Sequence, residues 1–191
     1  KEMLPIVDKP VIQYVVEEVV EAGIEDVILV TGANKRAIED HFDKPSSELV
    51  ENLKLGGEKK KVFLDELDRI SDLANFVYVR QKEALGNGHA VLTARDVIGD
   101  EPFLVMWGDE FFEADPPAVS QLMEVYEKHG SSVVAGVRIP KPEISKYGIA
   151  DISSVEENVF KIKKIIEKPD VNEAPSDLAT HGNYLFTPEI F

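Results

Sequence analysis

The sequence contains no cysteine, which excludes disulfides and thiolate-held metals. It also lacks any apolar run near the roughly 20 residues a membrane-spanning helix needs, and no charged-then-apolar leader opens it. Basic residues are outnumbered, with 21 Lys and Arg against 36 Asp and Glu, for a net charge of −15. A surface of that sign repels phosphate backbones, so no nucleic-acid partner is expected. These absences together lead us to expect a cytoplasmic protein with no membrane partner. What remains is 191 residues, 43% hydrophobic and 30% charged, an ordinary globular composition with enough chain for one substantial core.

Hydrophobic residues alternate between two periods along the chain. Val11, Val15, Val16 and Val19 fall on one side of a helix, with Pro10 suited to its first turn and Gly23 to its stop. Asp26 to Gly32 is a β-branched run closed by glycine, the pattern of a buried strand. The pair then recurs: helix from about Asn34 to Phe42, a charged helix-rich insertion from Ser46 to Leu73, strand Phe76–Arg80, helix Gly88–Arg95, strand Pro102–Asp109, helix Ala118–His129, and a strand from Ser131. Such alternation predicts an α/β fold with a mainly parallel sheet flanked by helices, binding ligands beyond the carboxyl ends of its strands. After Pro140 only strand-like pieces remain, at Tyr147–Ile152, Val159–Ile166 and Gly182–Phe186, which predicts a small antiparallel appendage.

Four stretches could carry chemistry. In RQKEALGNGHAV, Gln81 ends a strand while Gly86 and Gly88 flank the start of a helix. Glycine lets backbone approach a planar ligand, and an amide both donates and accepts, as base recognition requires; a plain strand-to-helix turn has the same spacing. His89 fits packing or capping better than catalysis. In MWGDEFF, Asp109 follows an apolar strand, where a carboxylate could hold Mg²⁺ or simply cap a turn. In IIEKPD, Glu167 could hold sugar hydroxyls while Lys168, on the opposite face of an extended chain, meets a phosphate; an exposed ion pair is the alternative. Gly148 and Gly182 lie in strand-like surroundings, where glycine marks a bulge or a close backbone approach.

Taken in order, KEMLPIVDKPVIQYVVEE, RQKEALGNGHAV, the GDE after a strand, YGI, IEKP and GNYLF resemble the motifs of the sugar-nucleotide pyrophosphorylases, and most closely the bacterial UTP–glucose-1-phosphate uridylyltransferases. The resemblance implies a Rossmann-like nucleotidyltransferase fold, one domain over residues 1–191 that is incomplete at both ends, and Mg²⁺ as cofactor. It implies transfer of a uridylyl group from UTP to glucose 1-phosphate, with release of pyrophosphate. By position, Lys1 matches the family's triphosphate lysine, and Glu2, Gln81 and Gly86 match residues near the uracil. Asp109 matches the magnesium aspartate, Gly148 and Gly182 the sugar-contacting backbone, Glu167 the carboxylate on the glucose hydroxyls, and Lys168 the lysine on the sugar phosphate. No nucleophilic side chain is required, because a phosphate oxygen attacks phosphorus directly and the protein supplies position and charge.

The pattern is broken at Leu85, where these enzymes often carry lysine, and at Gly108, where they often carry proline. The family's glycine-rich loop should precede Lys1, so residues 1–191 alone are expected to turn over little or not at all. A full-length homo-oligomer is a further expectation of the resemblance. Thymidylyl transfer, another pyrophosphorylase activity, or a non-catalytic module that binds a nucleotide sugar are the alternatives.

Overall fold

A two-residue turn, Val7–Asp8, joins strands β1 (Pro5–Ile6) and β2 (Lys9–Pro10), and Pro10 leads directly into helix α1 (Val11–Glu21). Pro10 provides no side-chain cap. The first amides of α1 are met instead by backbone: Val11 N–H donates to Leu4 O at 3.1 Å and Ile12 N–H to Glu2 O at 3.0 Å. The segment before the hairpin is thereby fixed to the start of α1.

The structure is a computed structural model that describes residues 1–191, and it divides into two compact units. The first comprises residues 1–101 with 108–111 and Phe191. After α1 it continues through strand β3 (Asp26–Thr31), helices α2 (Arg36–Phe42), α3 (Ser47–Leu55) and α4 (Glu58–Ser71), strand β4 (Asn75–Arg80), and helices α5 (Asn87–Thr93) and α6 (Arg95–Ile98). β3 and β4 pair in parallel, in register from Asp26 opposite Asn75 to Thr31 opposite Arg80. The predicted stripe of α1 is buried, and its Ile12 and Val16 form a core with Ile38, Phe42 and Ile70. Each such side chain contributes roughly 1.5–3 kcal/mol by leaving water. Phe42, stacked on Phe76 at 4.8 Å, is the one whose truncation would open the largest void.

One carboxylate on α1 ties three elements of this unit together. Glu17 accepts from Lys9 Nζ at 2.7 Å, Gln13 Nε2 at 2.9 Å and Arg69 Nη2 at 2.9 Å. Gln13 is buried, and its Oε1 lies 2.9 Å from His41 Nε2. Since the Gln13 amide nitrogen donates to Glu17, Oε1 must accept and His41 must donate. Burial pushes the His41 pKa down.

The second unit comprises residues 102–107 and 112–190. It contains strand β5 (Phe103–Met106), helix α7 (Ala118–His129), and strands β6 (Val133–Arg138), β7 (Gly148–Glu156), β8 (Val159–Glu167) and β9 (Leu178–Phe186). The strand order is β5, β9, β7, β8, with β6 also paired to β9. Helix α7 buries Val119 and Leu122, packs against β6 and β9, and ends at Gly130 in the left-handed conformation, φ 64°. No helix is long and apolar enough to cross a membrane.

The α/β class agrees with expectation, but the balance of strand pairing does not. Parallel pairing is confined to β3 and β4; the expected antiparallel part is present as β7, β8 and β9, and it also takes in β5 and β6 to make a five-stranded sheet. β7 and β8 are joined by the two-residue turn Glu157–Asn158, with Asn158 at φ 60°, and pair antiparallel as expected. The difference lies in the last strand. β9 then runs opposite to β5, β6 and β7 alike. The expected strand Pro102–Asp109 is shorter, ending at Met106, so Asp109 sits in a turn two residues beyond Trp107.

Candidate functional site

In the first unit the segment carrying Asp109 rests on α1. A Cβ on Gly108 would come within 3.2 Å of Ile12 Cδ1, so a small residue is needed there, and Phe111 stacks on Tyr14 at 5.1 Å. This anchoring brings Asp109 to the start of the chain, where Lys1 Nζ donates to its Oδ2 at 2.9 Å. The contact raises the Lys1 pKa, chiefly through that hydrogen bond. Next along, Lys35 Nζ donates to Glu2 Oε1 at 2.7 Å. That ammonium, together with Glu2's own backbone N–H, holds the Glu2 carboxyl at about 2, well below its usual range. Lys35 reaches it from the loop before α2, which turns through Asn34 at φ 65°.

Gln81 and Gly86 form their own cluster at the carboxyl ends of β3 and β4, where an open α/β sheet presents its ligands. Gln81 N–H donates to Thr31 O at 2.8 Å. Gly86 precedes α5 with φ 96°, a conformation that glycine adopts without strain. The Gln81 amide nitrogen lies 3.1 Å from Gly86 O and 2.9 Å from His89 Nδ1.

In the second unit, Gly148 opens β7 opposite Glu167, the last residue of β8. A Cβ on Gly148 would come within 3.2 Å of Glu167 Oε2, Ile165 Cγ2 and Thr180 Oγ1. The absent side chain therefore leaves a small cradle between a carboxylate and a hydroxyl. Thr180 Oγ1 also donates to Gly148 O at 3.3 Å. Lys168 is not extended as expected: its φ is 46°, and its N–H donates to Tyr147 O at 3.0 Å. The turn sets Lys168 Nζ 3.4 Å from Glu167 Oε1, beside the carboxylate and not across the strand from it. Gly182 is buried in β9, and its carbonyl accepts from Trp107 N–H at 3.2 Å.

Of the sequence-predicted residues, the first unit thus joins Lys1 to Asp109 and Gln81 to Gly86, and the second joins Gly148, Glu167 and Lys168. Sequence reasoning missed Lys35 and Thr180, and it assigned His89 only to packing or capping. Their local sequence carries no signal: each is placed by a contact to a partner that only the fold supplies. It also missed Asn183, fully buried in β9 with neither amide atom hydrogen-bonded to protein.

The donor set at Asp109 suits a hard cation. Its ligand atoms are oxygen, the carboxylate is 31% exposed, and a side-chain cation already rests on Oδ2. No cluster of three His, Asp or Glu residues could hold a metal unaided, so a cation here would complete its shell from other groups, as Mg²⁺ does with phosphates and water.

Comparison with known proteins follows the same lines. The profile of the nucleotidyl transferase family matches residues 1–191. A UTP–glucose-1-phosphate uridylyltransferase of Bacillus subtilis (strain 168) is 53% identical over 191 residues, which cover 100% of this chain and 64% of the relative. The chain therefore spans just under two thirds of that relative's length. Among solved structures, an apo UDP-glucose pyrophosphorylase superposes with a TM-score of 0.88 at 44% identity, covering 100% of this chain and 70% of that one. A UDP-glucose pyrophosphorylase complexed with UDP-glucose gives 0.85 at 43% identity, covering 99% and 68%.

Proposed function

Because the chain belongs to the nucleotidyl transferase family, we propose that the protein it comes from transfers a uridylyl group from UTP to glucose 1-phosphate, releasing pyrophosphate and forming UDP-glucose. The observation that carries this reading is the contact between Lys1 and Asp109, the two residues whose motif positions suggest a triphosphate lysine and a metal carboxylate, in a chain 53% identical to such an enzyme over its 191 residues.

In this reading Lys1 binds the triphosphate of UTP, and Asp109 would hold Mg²⁺, which would supply neutralisation of phosphate charge. Gln81, Gly86 and Glu2 bind the uracil end, with the Glu2 carboxylate held in place by Lys35. Glu167 accepts hydrogen bonds from glucose hydroxyls in the space that Gly148 leaves, and Gly182 contributes backbone to the sugar site. Lys168 holds the sugar phosphate. A phosphate oxygen of glucose 1-phosphate attacks the α-phosphorus of UTP, the P–O bond to the β-phosphate breaks, and pyrophosphate departs. The chain contributes placement and charge, and no proton need pass to a side chain.

The test is to supply the full-length protein with UTP, glucose 1-phosphate and Mg²⁺ and to measure pyrophosphate. Release with UTP and glucose 1-phosphate is the expected result. Silence with this pair, together with turnover of thymidine triphosphate or another hexose 1-phosphate, would reassign the substrates.

A further inference from the structure

The contacts of Gln81 determine what its side chain can offer a ligand. Its Nε2 lies 3.1 Å from Gly86 O and 2.9 Å from His89 Nδ1. A backbone carbonyl only accepts, so the Gly86 contact establishes which end of the amide carries the hydrogens. One hydrogen goes to Gly86 O and the other points at His89. Nδ1 must then accept, which places the imidazole proton on Nε2. Both amide donors are used within the protein, and the group that remains for a ligand is the acceptor Oε1.

The local chain explains how His89 reaches this position. Gly86 turns at φ 96° into α5, and His89 follows three residues later, in the first turn of that helix. Its own carbonyl accepts from the Thr93 hydroxyl at 2.7 Å, which is unrelated to the ring. His89 and Gln81 are both half-buried, so the pair is set in the fold yet still open to a ligand.

We infer that His89 is a positioning residue for base selection: by taking the second amide hydrogen of Gln81, it keeps Oε1 as the group that meets the base. An acceptor at that point matches the imide N3–H of uracil and opposes the bare N3 lone pair of cytosine. The inference rests on the nucleotide-side role of Gln81 proposed above. Without His89 the amide loses one of its two anchors and can turn on its side-chain bonds, and the preference relaxes.

The experiment uses the full-length protein with glucose 1-phosphate and Mg²⁺, comparing kcat/KM for UTP, CTP and 3-methyl-UTP, in which the imide hydrogen is replaced by methyl. The unaltered protein is expected to prefer UTP over both by about tenfold or more, the scale of leaving one buried hydrogen-bonding group unmatched. His89→Leu should lower the UTP-to-CTP ratio by about tenfold while KM for glucose 1-phosphate stays unchanged. His89→Asn should retain the ratio, because its Oδ1 can accept near the place of Nδ1. A purely structural role would move all substrates together. Equal use of UTP and 3-methyl-UTP, an unchanged ratio in His89→Leu, or an equal loss in His89→Asn overturns the inference alone. Failure of the unaltered protein to release pyrophosphate from UTP with any hexose 1-phosphate overturns the functional reading and this inference with it. The 3-methyl comparison needs no variant, so it decides the acceptor at Gln81 even where His89→Leu does not fold.

Discussion

Lys1 and Asp109, 108 positions apart in the chain, are joined by an ammonium–carboxylate hydrogen bond of 2.9 Å. Exposure of the Lys1 side chain is 80%, so the contact is worth little to stability, and its value lies in where it parks two charges. Lys1→Met and Asp109→Asn in the full-length protein should each lower kcat by about a hundredfold or more, the usual effect of removing one group that stabilises phosphoryl charge. Urea midpoints should stay close to the unaltered protein's. Pyrophosphate release and urea melts on the same preparations separate the two effects.

Glu2 predicts an acid dependence. Its folded pKa of about 2 lies below the ordinary 4.5, chiefly because of Lys35. The stabilisation from this depressed carboxyl is complete above pH 4.5 and disappears as pH falls through about 2. Lys35→Met should therefore reduce the urea midpoint at neutral pH and shrink the difference between neutral pH and about pH 3. An unaltered difference between the two pH values would show that Lys35 does not depress the Glu2 carboxyl.

Gly148 predicts a sugar-side defect. A methyl there would come within 3.2 Å of Glu167 Oε2 and Thr180 Oγ1. Gly148→Ala should raise KM for glucose 1-phosphate about tenfold or more and leave KM for UTP within about twofold. Steady-state kinetics with each substrate varied in turn will check this, and equal changes in both KM values would argue against the cradle.

Val7 should be replaceable with a gain in stability. It is 95% exposed and sits at φ 62°, a left-handed conformation costing a β-branched residue about 1–2 kcal/mol. Val7→Gly relieves that strain with almost no burial to lose, and the greater freedom of glycine in the unfolded chain returns about half of it. A rise of roughly 0.5–1 kcal/mol in unfolding free energy is expected. A lower urea midpoint would mean that Val7 contributes something its exposure does not reveal.

How much of this was legible from the sequence depended on whether the information was local. The valine stripe of α1 and the β-branched run of β3 appear where periodicity placed them, because burial of one face acts on every residue of the element. Strand direction was legible for β7, β8 and β9, which pair antiparallel as expected, but not for β5 and β6, whose antiparallel pairing is set by the reach of β9 and leaves no mark on the alternation of side chains. Motif order singled out Lys1 with Asp109 and Gln81 with Gly86, which the fold brings into contact, whereas Lys168 departs from the extended reading, at φ 46° with its N–H on Tyr147 O. His89 looked like a packing residue since nothing in GNGHAV reveals which end of the Gln81 amide it meets.

The three-way junction at Glu17 makes the hairpin, α1 and the end of α4 energetically dependent on one another, though Lys9 and Arg69 are far apart in sequence. Amide hydrogens in these three segments should then exchange with solvent as one cooperative block and not fray separately. Glu17→Gln should split the block, with α4 opening first, since α4 buries only Ile70 while α1 is held by its whole apolar face. The segment carrying Lys1 and Glu2 hangs from that same hairpin and helix through Val11 N–H to Leu4 O and Ile12 N–H to Glu2 O, so loosening α4 should also speed amide exchange at Val11 and Ile12.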